Sequence, residues 1–331
     1  MCEKTLLISE EDVRKVFAET PHLSVEIVER AFLRRYRNEV LLPDKISQIF
    51  DEEKQNRINC MPATLLEENT CGVKWVAVFP ENPMQGLRNV TGTIILSELE
   101  HGFTKSVMDG THITGLRTAA VGAVAAKYLA RQNAESIGFI GAGKEARRHL
   151  EQIKCVRPSL KYCYVSSRRE STVESFITEE QARYPDMCFI PCRNDYKEAV
   201  CHADIIVTAT STQADLLKAD WIKKGALYIH VGGWEDEYAV AQKANKIVCD
   251  EWDCIKHRTQ TISRMFKEGL LNDDEIYADM PQIISGECAG RETDDEFIYF
   301  CSVGLAFIDV MFAQHVYEEC LRKGLGTWFA F

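Results

Sequence analysis

Hydrophobic positions along the chain change their period twice. From Ser9 to Asn38 they recur at helical spacing. Val25, Ile27, Val28, Ala31 and Phe32 line one face, so two helices are expected, the first capped by Ser9. Residues 41–108 then alternate. Strands are expected at 45–50, 57–61, 72–79, 91–97 and 103–107, with Glu100-His101-Gly102 as a turn, which makes the first third α+β with an antiparallel sheet. From Asp109 to Gln132 the character changes: Thr118 to Ala126 reads as a helix rich in small residues, and tight packing within the chain is expected there in preference to a helix–helix dimer seam. From Glu135 onward strand and helix alternate. Apolar runs at 137–140, 161–165, 188–190, 204–208, 227–231 and 246–249 are separated by helical stretches such as 144–156 and 171–183. This pattern predicts an α/β, doubly wound parallel sheet with ligands at the carboxyl ends of its strands. A last helix, Ala306 to Lys323, is expected to return to the first domain.

Composition narrows the function classes. The 331 residues carry 39 Lys+Arg against 50 Asp+Glu, a net charge of −11, which argues against nucleic acid or an anionic membrane surface as partner. The longest apolar stretch, Thr118 to Ala130, is short and broken by Lys127, so no membrane span is expected. The 13 cysteines form no Cys-x-x-Cys pair and no zinc spacing, so no metal is expected. Cys60, Cys71, Cys163, Cys188 and Cys249 read as small buried hydrophobes. With an N-terminus unlike a signal peptide, they suggest a cytoplasmic protein.

The chemistry starts at Gly141-Ala142-Gly143-Lys144-Glu145-Ala146. This Gly-x-Gly-x-x-Ala follows an apolar strand and opens a helix, the context in which such a turn cradles a dinucleotide pyrophosphate. Gly141 makes the turn, Gly143 admits the phosphates and Ala146 lets helix and strand pack closely. The next strand ends not in an acid but in Ser166-Ser167-Arg168-Arg169. Ser167, Arg168 and Arg169 suit a 2′-phosphate, so NADP(H) is expected to be preferred, with NAD(H) possible. Thr208-Ala209-Thr210 and Val231-Gly232 end the fourth and fifth strands, where small residues admit the cofactor.

The stretch Asp109-Gly110-Thr111-His112-Ile113-Thr114-Gly115-Leu116-Arg117-Thr118-Ala119-Ala120 closely resembles the signature of the ornithine cyclodeaminase/mu-crystallin family. Met61-Pro62-Ala63, Gly72-Val73-Lys74-Trp75, Val231-Gly232-Gly233, Gly290-Arg291 and Ser302-Val303-Gly304-Leu305-Ala306 agree in order. The resemblance implies a Rossmann domain, 119–311, and a discontinuous substrate-binding and dimerisation domain, 1–118 with 312–331. It also implies a homodimer formed through the antiparallel sheet. The implied chemistry is hydride exchange between a nicotinamide and the Cα of an amino acid or its imine.

By the same resemblance Arg117 clamps the substrate carboxylate, Lys74 stands beside the reacting carbon and Lys45 supplies a second carboxylate-binding cation. Met61 joins the substrate site, while Thr118, Ser302 and Val303 join the cofactor site. Two positions depart from the cyclodeaminase pattern. The acid that handles a side-chain amine is replaced by Trp234, leaving Glu235 or Asp236 to substitute. A glutamate before Met61 is replaced by Asn59, while Arg57 suggests a second substrate carboxylate. The leading reading is an amino-acid dehydrogenase or imine reductase. The alternatives are a redox-neutral cyclodeaminase and a cofactor-binding protein without turnover. His101 and His112 read as turn and capping residues, His149 as solvated, 292–296 as a solvated acidic loop and His230 as a strand end near the nicotinamide.

Overall fold

The computed structural model describes residues 4–330 apart from 19 and 21. The chain divides into two compact units, Met1–Arg117 with Gly304–Phe331, and Thr118–Val303. The second boundary falls earlier in the chain than the expected 311/312.

The first unit runs β1 (Lys4–Ile8), α1 (Glu10–Phe17), α2 (Leu23–Tyr36), β2 (Val40–Leu41), β3 (Ile46–Asp51), β4 (Asn56–Leu65), β5 (Thr70–Val78), β6 (Val90–Glu98), β7 (Thr104–Asp109) and the start of α3 (Thr111–Leu129). Ser9 caps α1 as expected. Its hydroxyl accepts from the Asp12 N–H, while the Asp12 carboxylate accepts from the Ser9 N–H. At α3 the cap is not His112 but Asp109, whose carboxylate accepts the N–H groups of Thr111 and His112 at 3.1 and 2.8 Å.

Strands β4 to β7 form antiparallel neighbours, with Met61 opposite Lys74 and Lys74 opposite Ile94. The sheet is not wholly antiparallel, because β1 pairs with β7 in parallel. The unit closes with α11 (Ala306–Lys323) and β16 (Thr327–Ala330), which pairs with β1. Helix α11 packs on β4, β5 and β6 and against α2, where Phe307 meets Phe32 edge-on at 6.0 Å. Ala306 to Ala313 of α11 are buried, so the helix belongs to this unit from its first turn. That burial moves the boundary.

The second unit continues from α3 through β8 (Ser136–Ile140), α4 (Lys144–Val156), β9 (Tyr162–Ser166), α5 (Glu170–Arg183), β10 (Cys188–Arg193), α6 (Tyr196–Val200), β11 (Ile205–Thr208) and β12 (Leu227–His230). It ends with α7 (Tyr238–Lys243), β13 (Lys246–Cys249), α8 (Trp252–Ile255), α9 (Thr261–Lys267), β14 (Ala278–Asp279), α10 (Met280–Ser285) and β15 (Ile298–Cys301). The strand order is β10-β9-β8-β11-β12-β15-β13-β14, and every pairing is parallel. Central strands β8, β11, β12, β13 and β15 are buried on both faces, which is why the first four read as short apolar-rich runs in the sequence. The chain's last strand here, β15, inserts between β12 and β13. It was not among the strands expected from the sequence, although at four residues it is as long as β11, β12 and β13.

The small-residue helix α3 does pack tightly. A Cβ on Gly122 would stand 2.7 Å from the His149 ring, and His149 is fully buried, not solvated. Among the expected buried cysteines, Cys163 and Cys249 are buried, Cys60 and Cys71 are half-buried and Cys188 is exposed. All described cysteines are free. Among the described residues no helix is long and apolar enough to cross a membrane.

Candidate active site

The turn between β8 and α4 joins a positive-φ glycine to an uncapped helix start. Gly141 has φ +104°, and a Cβ there would stand 2.8 Å from the Ala209 carbonyl oxygen. Gly143 is the N-cap of α4, no side chain caps the helix, and a Cβ at Gly143 would meet nothing within 4 Å. Open space before uncapped N–H groups at a helix start is an anion cradle, and these residues fit the pyrophosphate of a dinucleotide. Ala142 and Ala146 are buried, so α4 lies close on the sheet.

At the end of β9 the Ser167 N–H donates to the Arg193 carbonyl at 2.7 Å. Arg168 and Arg169 are exposed and, among the described residues, pair with no carboxylate. Helix α5 begins there without a side-chain cap. Beyond the other strand ends, main-chain bonds fix the loops. Ala209 N–H donates to Ile140, Val231 N–H to Thr208 and Ser302 N–H to His230, while Val303 N–H donates to the Asp250 carboxylate at 2.9 Å.

The first unit carries a separate cluster. The register places Arg57, Asn59, Met61 and Lys74 on one face of β4 and β5, the face that α11 covers. Lys74 is fully buried and its Nζ lies 2.6 Å from Asp309 Oδ2. The other oxygen of Asp309 accepts from Arg117 Nε at 2.9 Å. One buried carboxylate is thus shared by two buried cations. Burial, and next the Arg117 charge, pull the Lys74 ammonium down to about 7 against the opposing pull of Asp309. Lys45 adds a smaller push in the same direction, which places it within electrostatic reach of Lys74. Gly304, at φ +78°, lies against Arg117, and a Cβ there would stand 2.6 Å from Nη1. Arg57 donates to the Gln55 carbonyl at 2.9 Å, and the buried Asn59 leaves its amide oxygen without a partner.

Asp309 was not singled out in the sequence. Its signal is a lone acid inside the apolar run Ala306 to Ala313 on a buried helix.

The model of the ornithine cyclodeaminase/mu-crystallin family matches residues 4–324. The chain belongs to that family. It is 34% identical over 280 residues to Delta(1)-pyrroline-2-carboxylate reductase of Bacillus cereus, covering 83% of this chain and 85% of the relative. It is 32% identical over 329 residues to alanine dehydrogenase of Archaeoglobus fulgidus, covering 98% of each. Delta(1)-pyrroline-2-carboxylate reductase of Thermococcus litoralis, solved with NADH and L-proline, superposes with a TM-score of 0.92 at 31% identity. That match covers 98% of this chain and 99% of the other. The fold is the Rossmann-type α/β fold of these enzymes. The chain is an NAD(P)-linked oxidoreductase of the family, acting on an amino-acid carbon–nitrogen bond.

The two acids expected to replace the cyclodeaminase aspartate face inward in this family member. Glu235 is fully buried and accepts from the Thr208 hydroxyl at 2.8 Å, the Thr210 N–H at 2.6 Å and the Gly232 N–H at 2.8 Å. Burial raises its carboxyl, and the bonds from Thr210 and Thr208 oppose that rise. Asp236 accepts from Thr261 at 2.7 Å and from Tyr228 and Tyr299 at 3.3 Å, and burial pushes it up to about 8. Glu235 ties the loops after β11 and β12 together, and Asp236 ties the second of them to Tyr228, Tyr299 and Thr261, so both carboxylates are already engaged by the protein. Thr208 is corrected with them. Its hydroxyl is committed to Tyr228 and Glu235 and is not open to a ligand. His230 is buried beneath this loop, with Nδ1 2.8 Å from the Tyr299 hydroxyl, and burial holds it neutral with a pKa of about 4.

Trp234 is held over the Arg264 guanidinium at 3.9 Å and donates from Nε1 to Asp215 at 2.7 Å. Arg291 is a structural staple. It donates to the carbonyls of Leu129, Thr293, Glu296 and Ala226. The acidic loop is not simply solvated, since Glu292 and Glu296 pair with Lys246 at 2.6 and 3.3 Å. At the end of α6, Glu198, Cys201 and His202 bring a carboxylate, a thiol and an imidazole within 4.8 Å of one another, a grouping the sequence spacing had not suggested.

Proposed function

We propose that the chain reduces an α-imino acid to the corresponding amino acid with NADP(H) as the preferred cofactor, and runs the reverse oxidation when the amino acid and oxidised cofactor are in excess. The observation that carries this is Asp309 shared between Lys74 and Arg117. Two cations and one carboxylate leave a buried positive charge, which a substrate carboxylate would neutralise. Arg117 fixes that carboxylate and so orients Cα. Lys74, with a pKa of about 7, is poised to give a proton from Nζ to the imine nitrogen at neutral pH. The bound nicotinamide supplies the hydride in reduction and accepts it in oxidation. Lys45, Arg57 and Met61 line the same unit as further substrate contacts. Gly141, Ala142, Gly143, Ala146, Thr118, Ala209, Thr210, Val231, Gly232, Ser302 and Val303 serve the cofactor.

Net redox is favoured over cyclodeamination because Trp234 stands where the amine-handling acid is needed and Glu235 is consumed by its own loop. Arg168 and Arg169, which pair with no carboxylate among the described residues, stand beside the uncapped start of α5 and support NADP(H), although the Thermococcus litoralis relative was solved with NADH. A homodimer is supported by the archaeal alanine dehydrogenase dimer, of TM-score 0.89, and by exposed Ile46, Trp75 and Ile95, which the register places on the outer sheet face. The free thiols support a reducing, cytoplasmic setting.

The test is NADPH oxidation with pyrroline-2-carboxylate, chosen because two relatives carry that activity, beside open-chain imino acids formed from 2-oxo acids and ammonia. Stoichiometric NADPH loss, abolished in Lys74→Met while cofactor fluorescence still reports binding, is the expected result. Ammonia released from ornithine without net cofactor change would overturn the proposal in favour of a cyclodeaminase.

A further inference from the structure

The strand beside β9 carries a cation that sequence reading passed over. The register between β10 and β9 shifts between Pro191 and Arg193. The extra residue, Cys192, turns into the core. A bulge of this kind re-aims the side chain that follows it. Arg193 itself has φ +50°, a left-handed backbone region that residues with a Cβ adopt only under strain.

That strained residue makes two contacts. Its carbonyl accepts the Ser167 N–H at 2.7 Å, and its guanidinium Nε lies 2.7 Å from Glu170 Oε1. Glu170 opens α5 and directly follows Arg168 and Arg169. An unneutralised carboxylate there would repel a 2′-phosphate. It would also be free to accept a ribose hydroxyl, the arrangement that favours NAD. With Arg193 present, three guanidiniums and one carboxylate leave two positive charges, the charge of a phosphate dianion.

We infer that Arg193 is a specificity-determining residue for the cofactor. It cancels Glu170 and completes, with Arg168 and Arg169, the cradle for the 2′-phosphate. This rests on the NADP(H) reading above. The bulge and the left-handed backbone hold the residue where both its carbonyl and its guanidinium reach the β9–α5 turn.

The experiment measures dissociation constants for NADPH and NADH by reduced-nicotinamide fluorescence on the full-length protein, for wild type, Arg193→Gly, Arg193→Lys and Glu170→Gln. Glycine relieves the positive φ, so loss of folding is not the expected outcome, and a thermal melt checks it. Arg193→Gly should weaken NADPH at least tenfold and leave NADH unchanged or tighter. Glu170→Gln should tighten NADPH several-fold, and Arg193→Lys should retain part of the preference. A wild type that binds NADH more tightly overturns the cofactor reading, and this inference with it. A wild type that prefers NADPH, with a ratio unmoved in Arg193→Gly, overturns the role of Arg193 alone.

Discussion

Asp309→Asn is the sharpest perturbation of the buried cation pair. In the wild type the Asp309 carboxylate opposes the burial and the Arg117 charge that hold Lys74 near 7. Removing one unit charge at ~4 Å, at an effective dielectric near 20, withdraws on the order of 4 kcal/mol. At ~1.36 kcal/mol per unit this corresponds to a fall of about three pKa units, and relaxation and water entry reduce it to roughly two. The titration of Lys74 should therefore move from about 7 to roughly 5. Imine reduction needs the protonated ammonium, so its kcat/KM falls as pH rises through that midpoint. Amine oxidation needs the neutral amine, so its limb rises through the same midpoint.

The assay is kcat/KM against pH in both directions. Comparing variant with wild type on one substrate cancels the substrate's own titration. In Asp309→Asn both limbs should shift acid together, and reduction at pH 7.5 should drop about a hundredfold. Asp309→Glu, which keeps the charge, should hold the midpoint. A folded Asp309→Asn protein with both midpoints unchanged would refute Lys74 as the group that moves the proton.

The same lysine gives a stability signature. Unfolded, it keeps its proton to 10.5; folded, only to about 7. Between these values the unfolded chain binds more protons, so Lys74 makes stability rise with pH across that window, and Lys74→Met should remove this rise in chemical denaturation. Arg117→Met should raise the substrate KM about ten- to hundredfold and leave the NADPH dissociation constant unchanged, because it removes a charged hydrogen-bond donor from the substrate side only. Gly122→Ala places a Cβ 2.7 Å from the His149 ring and should cost roughly 1–3 kcal/mol, recovered largely when combined with His149→Ala. Trp75→Glu should yield a monomer by sedimentation if the outer sheet face is the dimer seam, and an unchanged sedimentation coefficient would exclude that face.

Features that depend only on neighbours along the chain could be read from the residues in order. The phosphate turn was legible because Gly141, Gly143 and Ala146 act through a strand end, a positive φ and a helix start within six residues. The Ser9 cap and the buried strands β8, β11, β12 and β13 were legible for the same reason, since capping and burial leave a local pattern. Lys74 and Arg117 came only through resemblance to a family, because a lone cation in an apolar segment has the same local pattern whether it faces solvent or a buried acid. The remaining features arise from contacts between distant parts of the chain. Tertiary folding brought Asp309 to Arg117 across 192 positions of sequence. It turned Glu235 and Asp236 inward because loop N–H groups and hydroxyls there needed acceptors. It buried His149 against Gly122 of α3, and it inserted β15 between strands that precede it in the chain. A buried charge is stable only beside its partner, and the sequence carries no record of the distance at which that partner will be found.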